Sequence, residues 1–381
     1  MLEISATAMR EVVELTRELI RIPSMNPPGG EDQIADFVQG ILEDAGIDSV
    51  RIPLEKGRSS VVARIPGKNS GSVVLCGHLD TVRADEREWS HSPFAAKLEG
   101  DRIYGLGAAD MKSGVAVILQ IARELVRRGI TPKQDIVLAL TADEEHAYRG
   151  AATVAESGLI DDARFLFILE PTGGKGYIGQ KGELWVEARF TGRAAHGSVP
   201  ELGINAILPA ARFALRLREE AEGWEAVPGR GRTTLNVGEL HGGVQVNIVP
   251  AEARVRIDSR TVSQQARDKV MRAVEQLGRE AVHEYGGKFS TEILNDKAPI
   301  ASDPADPWVK RFLRAVYPEA EVSPEIAPYS TDAVAIVPVL GIPVGIYGPG
   351  SIAQAHQPDE YVEISSIRAA LETLARFVEA E

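Results

Sequence analysis

Three short apolar runs in this chain, residues 73–77 (VVLCG), 136–140 (IVLAL) and 165–169 (FLFIL), are each followed by side chains of one chemical kind. His78 and Asp80 follow the first, Glu144 and Glu145 the second, and Glu170 the third. Runs of this length with helical patterns between them read as buried strands of a parallel sheet. An open parallel sheet gathers its ligands outside the carboxyl ends of its strands. A fold that buries the three runs side by side therefore brings an imidazole and several carboxylates, remote in sequence, to one edge. Asp110, in the glycine-rich GLGAADMKSG ahead of a helical pattern, and the late His356 complete a set that suits two cations and hydrolytic chemistry.

A chain of 381 residues exceeds what one hydrophobic core usually organises, so two domains are expected. Residues 31–46 place Ile34, Phe37, Val38, Ile41 and Leu42 at helical spacing before a stopping glycine, and residues 113–129 repeat the pattern with Ile118, Ile121, Ala122 and Leu125. The alternation of such helices with apolar strands predicts an α/β domain, a mostly parallel sheet covered by helices. From about Lys181 the pattern changes. A strand (183–190), a helix (204–220), two strands (233–240 and 251–258), a helix (263–285) and a strand (288–294) make a βαββαβ order, which predicts an inserted α+β ferredoxin-like unit. Apolar runs return at 334–340 and 344–346, followed by a helix from about Ser365. The expected organisation is a catalytic domain in two parts, 1–179 and 295–381, around an insertion at 180–294.

Composition excludes several classes. A net charge of -13 without an extended basic stripe argues against a nucleic-acid partner. No run approaches the ~20 apolar residues of a membrane span, so no membrane partner is expected. The single cysteine, Cys76, permits no intramolecular disulfide and points to the reducing cytoplasm; inside an apolar run it reads as a small buried hydrophobe. Gly105 and Gly107 mimic part of a dinucleotide-binding turn, but the third glycine is missing.

Carboxylates and imidazoles suit zinc, and also cobalt or manganese. Asp110, on a short arm in a tight turn, suits a bridge between two cations. Asp80, two residues after His78, suits the carboxylate that fixes a ligand imidazole's tautomer. Adjacent Glu144 and Glu145 point to opposite sides of an extended strand end, so one can bind metal while the other faces water. Taken singly, each of these residues has an ordinary structural reading; the joint pattern carries the assignment.

The motifs GHLDTV, GLGAADMKSG, TADEEH, LEPT, GRAAHGSVP and GPGSIAQAHQPDEY, in this order, resemble the co-catalytic zinc peptidase family of acetylornithine deacetylase, succinyl-diaminopimelate desuccinylase, aminoacylase and glutamate carboxypeptidase. The resemblance implies two zinc ions per chain, one held by His78, Asp110 and Glu170 and the other by Asp110, Glu145 and His356. It implies Glu144 as general base, His196 on the inserted lid as oxyanion donor, and Asn247 and Arg260 as substrate-binding residues. It further implies a cis peptide between Asp110 and Met111 and a homodimer built through the lid. The C-terminal motif looks most like the acetylornithine deacetylase branch. Desuccinylases carry an arginine shortly after an S-D or T-D pair, and here Thr331 and Asp332 are followed by Ala333, Val334 and Ala335. The expected activity is removal of an acyl group, acetyl first, from a small N-acyl amino acid such as N-acetylornithine. Desuccinylase, dipeptidase or carboxypeptidase activity at the same metals, on a short peptide in the last two cases, and a non-catalytic metal-binding scaffold are the alternatives.

Overall fold

The computed structural model, which describes residues 2–320 and 322–379, folds the three apolar runs into adjacent strands. The sheet runs in the order Ser49–Glu55, Arg58–Ile65, Gln134–Thr141, Asn69–His78, Ala163–Pro171, Val344–Gly348, Tyr177–Gln180. Its central strands are parallel: Asn69–His78 pairs with Gln134–Thr141 on one side and Ala163–Pro171 on the other, and Val344–Gly348 continues in the same sense. The register sets His78 opposite Thr141 and Cys76 opposite Ile168, so the carboxyl ends of the strands lie level. Antiparallel strands flank this centre. The buried positions run continuously along each central strand, as expected where helices cover both faces.

Two compact units emerge. The first comprises Met1–Gly179, Ala301–Ala327 and Thr331–Glu381, and the second Gln180–Ile300 with Pro328–Ser330. In the first, the helix Ser113–Arg127 is buried almost all round, with Val115, Ile118, Leu119, Ala122 and Leu125 fully covered. Such coverage needs close backbone approach. A Cβ on Gly114 would stand 2.3 Å from the Leu169 carbonyl oxygen, and one on Gly348 2.1 Å from the same atom. Only glycine fits at both points, and together they seat a helix and a strand against the end of the strand that carries Glu170.

The apolar run at 334–340 is a helix, Ala333–Leu340, whereas 344–346 lies in a strand. Periodicity does not separate a short buried helix from a short buried strand. The helix from residue 31 begins at Asp32 and gives way after Asp44 to Gly46, whose φ of 71° suits a glycine stop.

In the second unit the strands are ordered Thr234–Gly242, Glu252–Thr261, Gly182–Thr191, Lys288–Lys297, all antiparallel. The helices Ile207–Glu222 and Gln264–Tyr285 bury Phe213, Leu217, Val270 and Val274 with Leu184, Val186, Phe190, Val255 and Ile257 of the sheet in one core. This is the βαββαβ order read from the sequence, with a minor hairpin (Ala226–Val227 and Gly231–Arg232) added. The unit extends to Ile300 rather than 294, because the last strand passes an irregularity between Ile293 and Asn295 and keeps pairing as far as Lys297 with Glu183.

No described helix is long and apolar enough to cross a membrane. Cys76 is fully buried, and burial followed by the nearby Asp332 pushes its thiol well above the ordinary range, so it is no nucleophile.

Candidate metal centre

Five segments of the first unit deliver the candidate ligands. The strand Asn69–His78 ends in His78, Ala163–Pro171 carries Glu170, and the tight turn before Ser113 carries Asp110. Glu144 and Glu145 follow the strand Gln134–Thr141, and His356 lies in the loop after Val344–Gly348. Two three-donor groups result, His78 with Asp110 and Glu170, and Asp110 with Glu145 and His356; within each, the donor atoms lie within 4.8 Å of one another. Asp110 belongs to both. Its Oδ1 is 3.1 Å from His78 Nε2 and its Oδ2 is 3.4 Å from His356 Nε2, so each oxygen faces a different imidazole. Glu170 Oε1 lies 3.7 Å from His78 Nε2, and Glu145 Oε2 lies 3.0 Å from His356 Nε2. Asp110 and Met111 are joined by a cis peptide.

Glu144 and Glu145 do not sit on an extended strand, as the sequence reading has it. The strand stops at Thr141, and Asp143 turns the chain with a φ of 66°. The two side chains still diverge: Glu145 meets His356, while Glu144 Oε2 stands 4.0 Å from His78 Nε2 and belongs to neither donor group.

The electrostatics of this cluster fit cations. Burial pushes the carboxyls of Glu144, Glu145 and Glu170 upward, and neighbouring carboxylates add to the effect in all three. Hydrogen bonds to Asp110 and Glu145 raise the His356 imidazole to about 11. Four acids crowded around two imidazoles form a pocket of negative potential that two divalent cations offset, and oxygen and nitrogen donors match zinc, cobalt or manganese.

Asp80 acts differently from the expectation. His78 Nδ1 meets the main-chain carbonyl of Asp80 at 2.9 Å, whereas the Asp80 carboxylate is 3.7 Å away. The carboxylate is drawn off by other donors, accepting from the main-chain N–H of Glu144 (3.1 Å) and Glu145 (3.2 Å) and from Asn26 Nδ2 (2.9 Å). It thus holds the turn that presents both glutamates, while its carbonyl fixes the imidazole.

Glu360 escaped the sequence reading although it lies in the quoted QPDEY stretch. Its carboxylate accepts the main-chain N–H groups of Ala109 (2.8 Å), Asp110 (3.0 Å) and Gly107 (3.1 Å) and so clamps the turn that carries the shared ligand. Glu360→Gln turns one oxygen into a donor facing N–H groups. Metal affinity is expected to fall about 10–100-fold, the usual effect of losing a group that orients a ligand. Titration with zinc against a competing chelator measures it, and unchanged affinity overturns the clamp.

The remaining candidates belong to the second unit. His196 is exposed, its Nδ1 2.7 Å from Ser198 Oγ, and its loop lies against that of Asn247 through a Gly197 N–H to Asn247 carbonyl bond of 2.7 Å. Arg260 is not with them; it is engaged by Glu183 at 2.6 Å and Asp258 at 3.0 Å. A substrate carboxylate at Arg260 must compete with both.

The pattern that defines peptidase family M20/M25/M40 matches residues 74–380. The acetylornithine deacetylase of Proteus mirabilis (strain HI4320) is 29% identical over 383 residues, covering 96% of each chain. A probable succinyl-diaminopimelate desuccinylase of Staphylococcus aureus (strain N315) is 27% identical over 389 residues, covering 93% of each. Among solved structures, a tripeptidase from Staphylococcus aureus subsp. aureus Mu50 superposes with a TM-score of 0.82 at 21% identity, over 97% of this chain and 98% of that one. With the family pattern spanning every candidate ligand, the chain belongs to peptidase family M20/M25/M40 and is a metal-dependent amide hydrolase.

Proposed function

We propose that this hydrolase removes an acyl group, acetyl first, from an N-acyl amino acid such as N-acetylornithine. The observation that carries the reading is the pair of three-donor groups sharing Asp110, with Glu144 beside them but outside both. His78, Asp110 and Glu170 would hold one cation and Asp110, Glu145 and His356 the other, with zinc as the metal that best suits the donors. Cations held there would supply Lewis acidity, polarising an amide carbonyl and making water acidic near neutral pH. Glu144 takes the proton of the attacking water and passes it to the departing amine nitrogen. Asp80 holds Glu144 in place through its main-chain N–H. His196 donates to the oxyanion, and Asn247 and Arg260 orient the substrate, Arg260 exchanging one of its carboxylate partners for the substrate's.

Two features support an acetyl rather than a succinyl group: the C-terminal motif GPGSIAQAHQPDEY, which resembles the acetylornithine deacetylase branch, and the absence of an arginine just after Thr331 and Asp332. The test is a panel on zinc- or cobalt-loaded protein, comprising N-acetylornithine, other N-acetyl amino acids, succinyl-diaminopimelate and dipeptides. About two metals per chain are expected, with amine release from an acetylated amino acid, loss of activity on chelation and return on adding metal back. Cleavage of dipeptides alone, or of the succinyl compound alone, overturns the deacetylase reading.

A further inference from the structure

The opposite end of the sheet holds a second concentration of charge. Asn69 and Gln134 begin the strands whose far ends lead to the metal centre, and at ~3.3 Å per residue they lie roughly 30 Å from it. They line a cavity of about 670 Å³ together with Lys133, Lys310, Arg311, Arg314 and Arg376, and no acidic residue lines it. This is unusual in a chain of net charge -13, where Arg51, Arg58, Arg64, Arg149, Arg256 and Arg267 all have carboxylate partners. Among the described residues, none of the five cations at the cavity forms an ion pair.

Helix capping explains part of the cluster. Arg311 donates from Nε to the Phe377 carbonyl at 2.9 Å and from NH2 to the Val378 carbonyl at 3.2 Å, while Arg376 donates from Nε to the Ala315 carbonyl at 3.0 Å. Each arginine thus closes the carboxyl end of the helix that carries the other. Capping fixes these two guanidinium groups without neutralising them, and burial lowers the pKa of Arg311 with no carboxylate opposing it. Nor does it account for Lys133, Lys310 and Arg314, which face the same cavity. Lys310, Arg311 and Arg314 stand at neighbouring positions of the helix Pro307–Val316, where like charges repel.

An anion removes that repulsion. The volume is that of a small-molecule site, guanidinium forks suit phosphate oxygens, and the half-buried Trp308 supplies an aromatic wall beside Arg311, whose guanidinium lies 5.1 Å from the ring centroid. We propose that this cavity is a second binding site, separate from the metal centre, for a nucleoside diphosphate, with the diphosphate among Lys310, Arg311 and Arg314 and the apolar part against Trp308.

Equilibrium dialysis of ADP against metal-loaded enzyme tests it, with metal content checked afterwards. Saturable binding below about 1 mM is expected, undisturbed by a saturating active-site substrate analogue. The exposed pair K310E/R314E is expected to weaken ADP binding at least about tenfold while leaving hydrolysis unchanged, which shows that the variant is folded. Absence of saturable binding, equal binding by the double variant, or displacement by the active-site analogue each overturns the proposal. Pyrophosphate arms the last comparison: if it competes as well as ADP, the nucleoside part of the assignment fails, because the Trp308 wall then contributes nothing.

Discussion

Replacing Glu144 with glutamine is expected to lower turnover about 10²–10⁴-fold, the span that positioned acid–base groups contribute, while about two metals per chain stay bound. Metal retention follows from geometry, since Glu144 lies outside both donor groups. Loss of turnover follows from chemistry, since the amide has nearly the shape of the carboxylate yet cannot take a proton. Burial first, then Glu170 and Glu145, raise the Glu144 carboxyl, against the opposing effect of His78. A base works only while ionised, so activity falls as pH drops through the Glu144 pKa. Kinetics beside metal analysis decide the case. A variant that keeps turnover removes Glu144 as the base, and one that loses a metal as well makes Glu144 a ligand.

Arg58→Ala is expected to cost about 3–5 kcal/mol of stability, the range for breaking a buried ion pair from one side. Arg58 is 5% exposed, and its partners Glu31 and Asp143 are fully buried. Its Nε donates to Glu31 Oε2 at 2.7 Å and its NH2 to Asp143 Oδ1 at 2.9 Å. Without it, two carboxylates remain in the interior with fewer donors. The loss should also reach activity, because Asn26 joins Asp143 (3.0 Å) to Asp80 (2.9 Å), and Asp80 holds the Glu144 turn. Denaturant melts with the kinetic assay measure both effects. Removing the exposed Arg87 of the Arg87–Asp85 pair is the control and leaves the melt unchanged. An Arg58 variant as stable as the parent would show that Arg149 alone suffices for Asp143.

What could be read in the sequence, and what could not, divides along physical lines. His78, Glu170 and the glutamates after Thr141 follow apolar strands, and burial of such strands in a parallel sheet leaves little freedom in where their ends arrive. The alternating pattern of 183–190 likewise announced a strand, observed as part of Gly182–Thr191. Contacts made by main-chain atoms were invisible. That His78 would meet the carbonyl of Asp80 rather than its carboxylate depends on the turn after the strand, and the hold of Glu360 on three N–H groups joins positions 250 residues apart. The pairing of Arg260 with Glu183 rests on strand register, which the motif does not encode. The helix at 333–340 eluded reading for another reason, since a wholly apolar segment shows no periodicity of either kind.

The order in which these parts are made carries its own consequence. His78, Asp110, Glu145 and Glu170 all leave the ribosome ahead of the second unit, whereas the strand Val344–Gly348, His356 and Glu360 come after it. Until then the strand Ala163–Pro171 has only one of its two parallel neighbours, the second donor group is one imidazole short, and the Asp110 turn is unclamped. A chain interrupted before Val344 therefore holds an open sheet edge and an unfinished centre, so hydrolytic competence waits on residues far down the sequence from most of the ligands they complete.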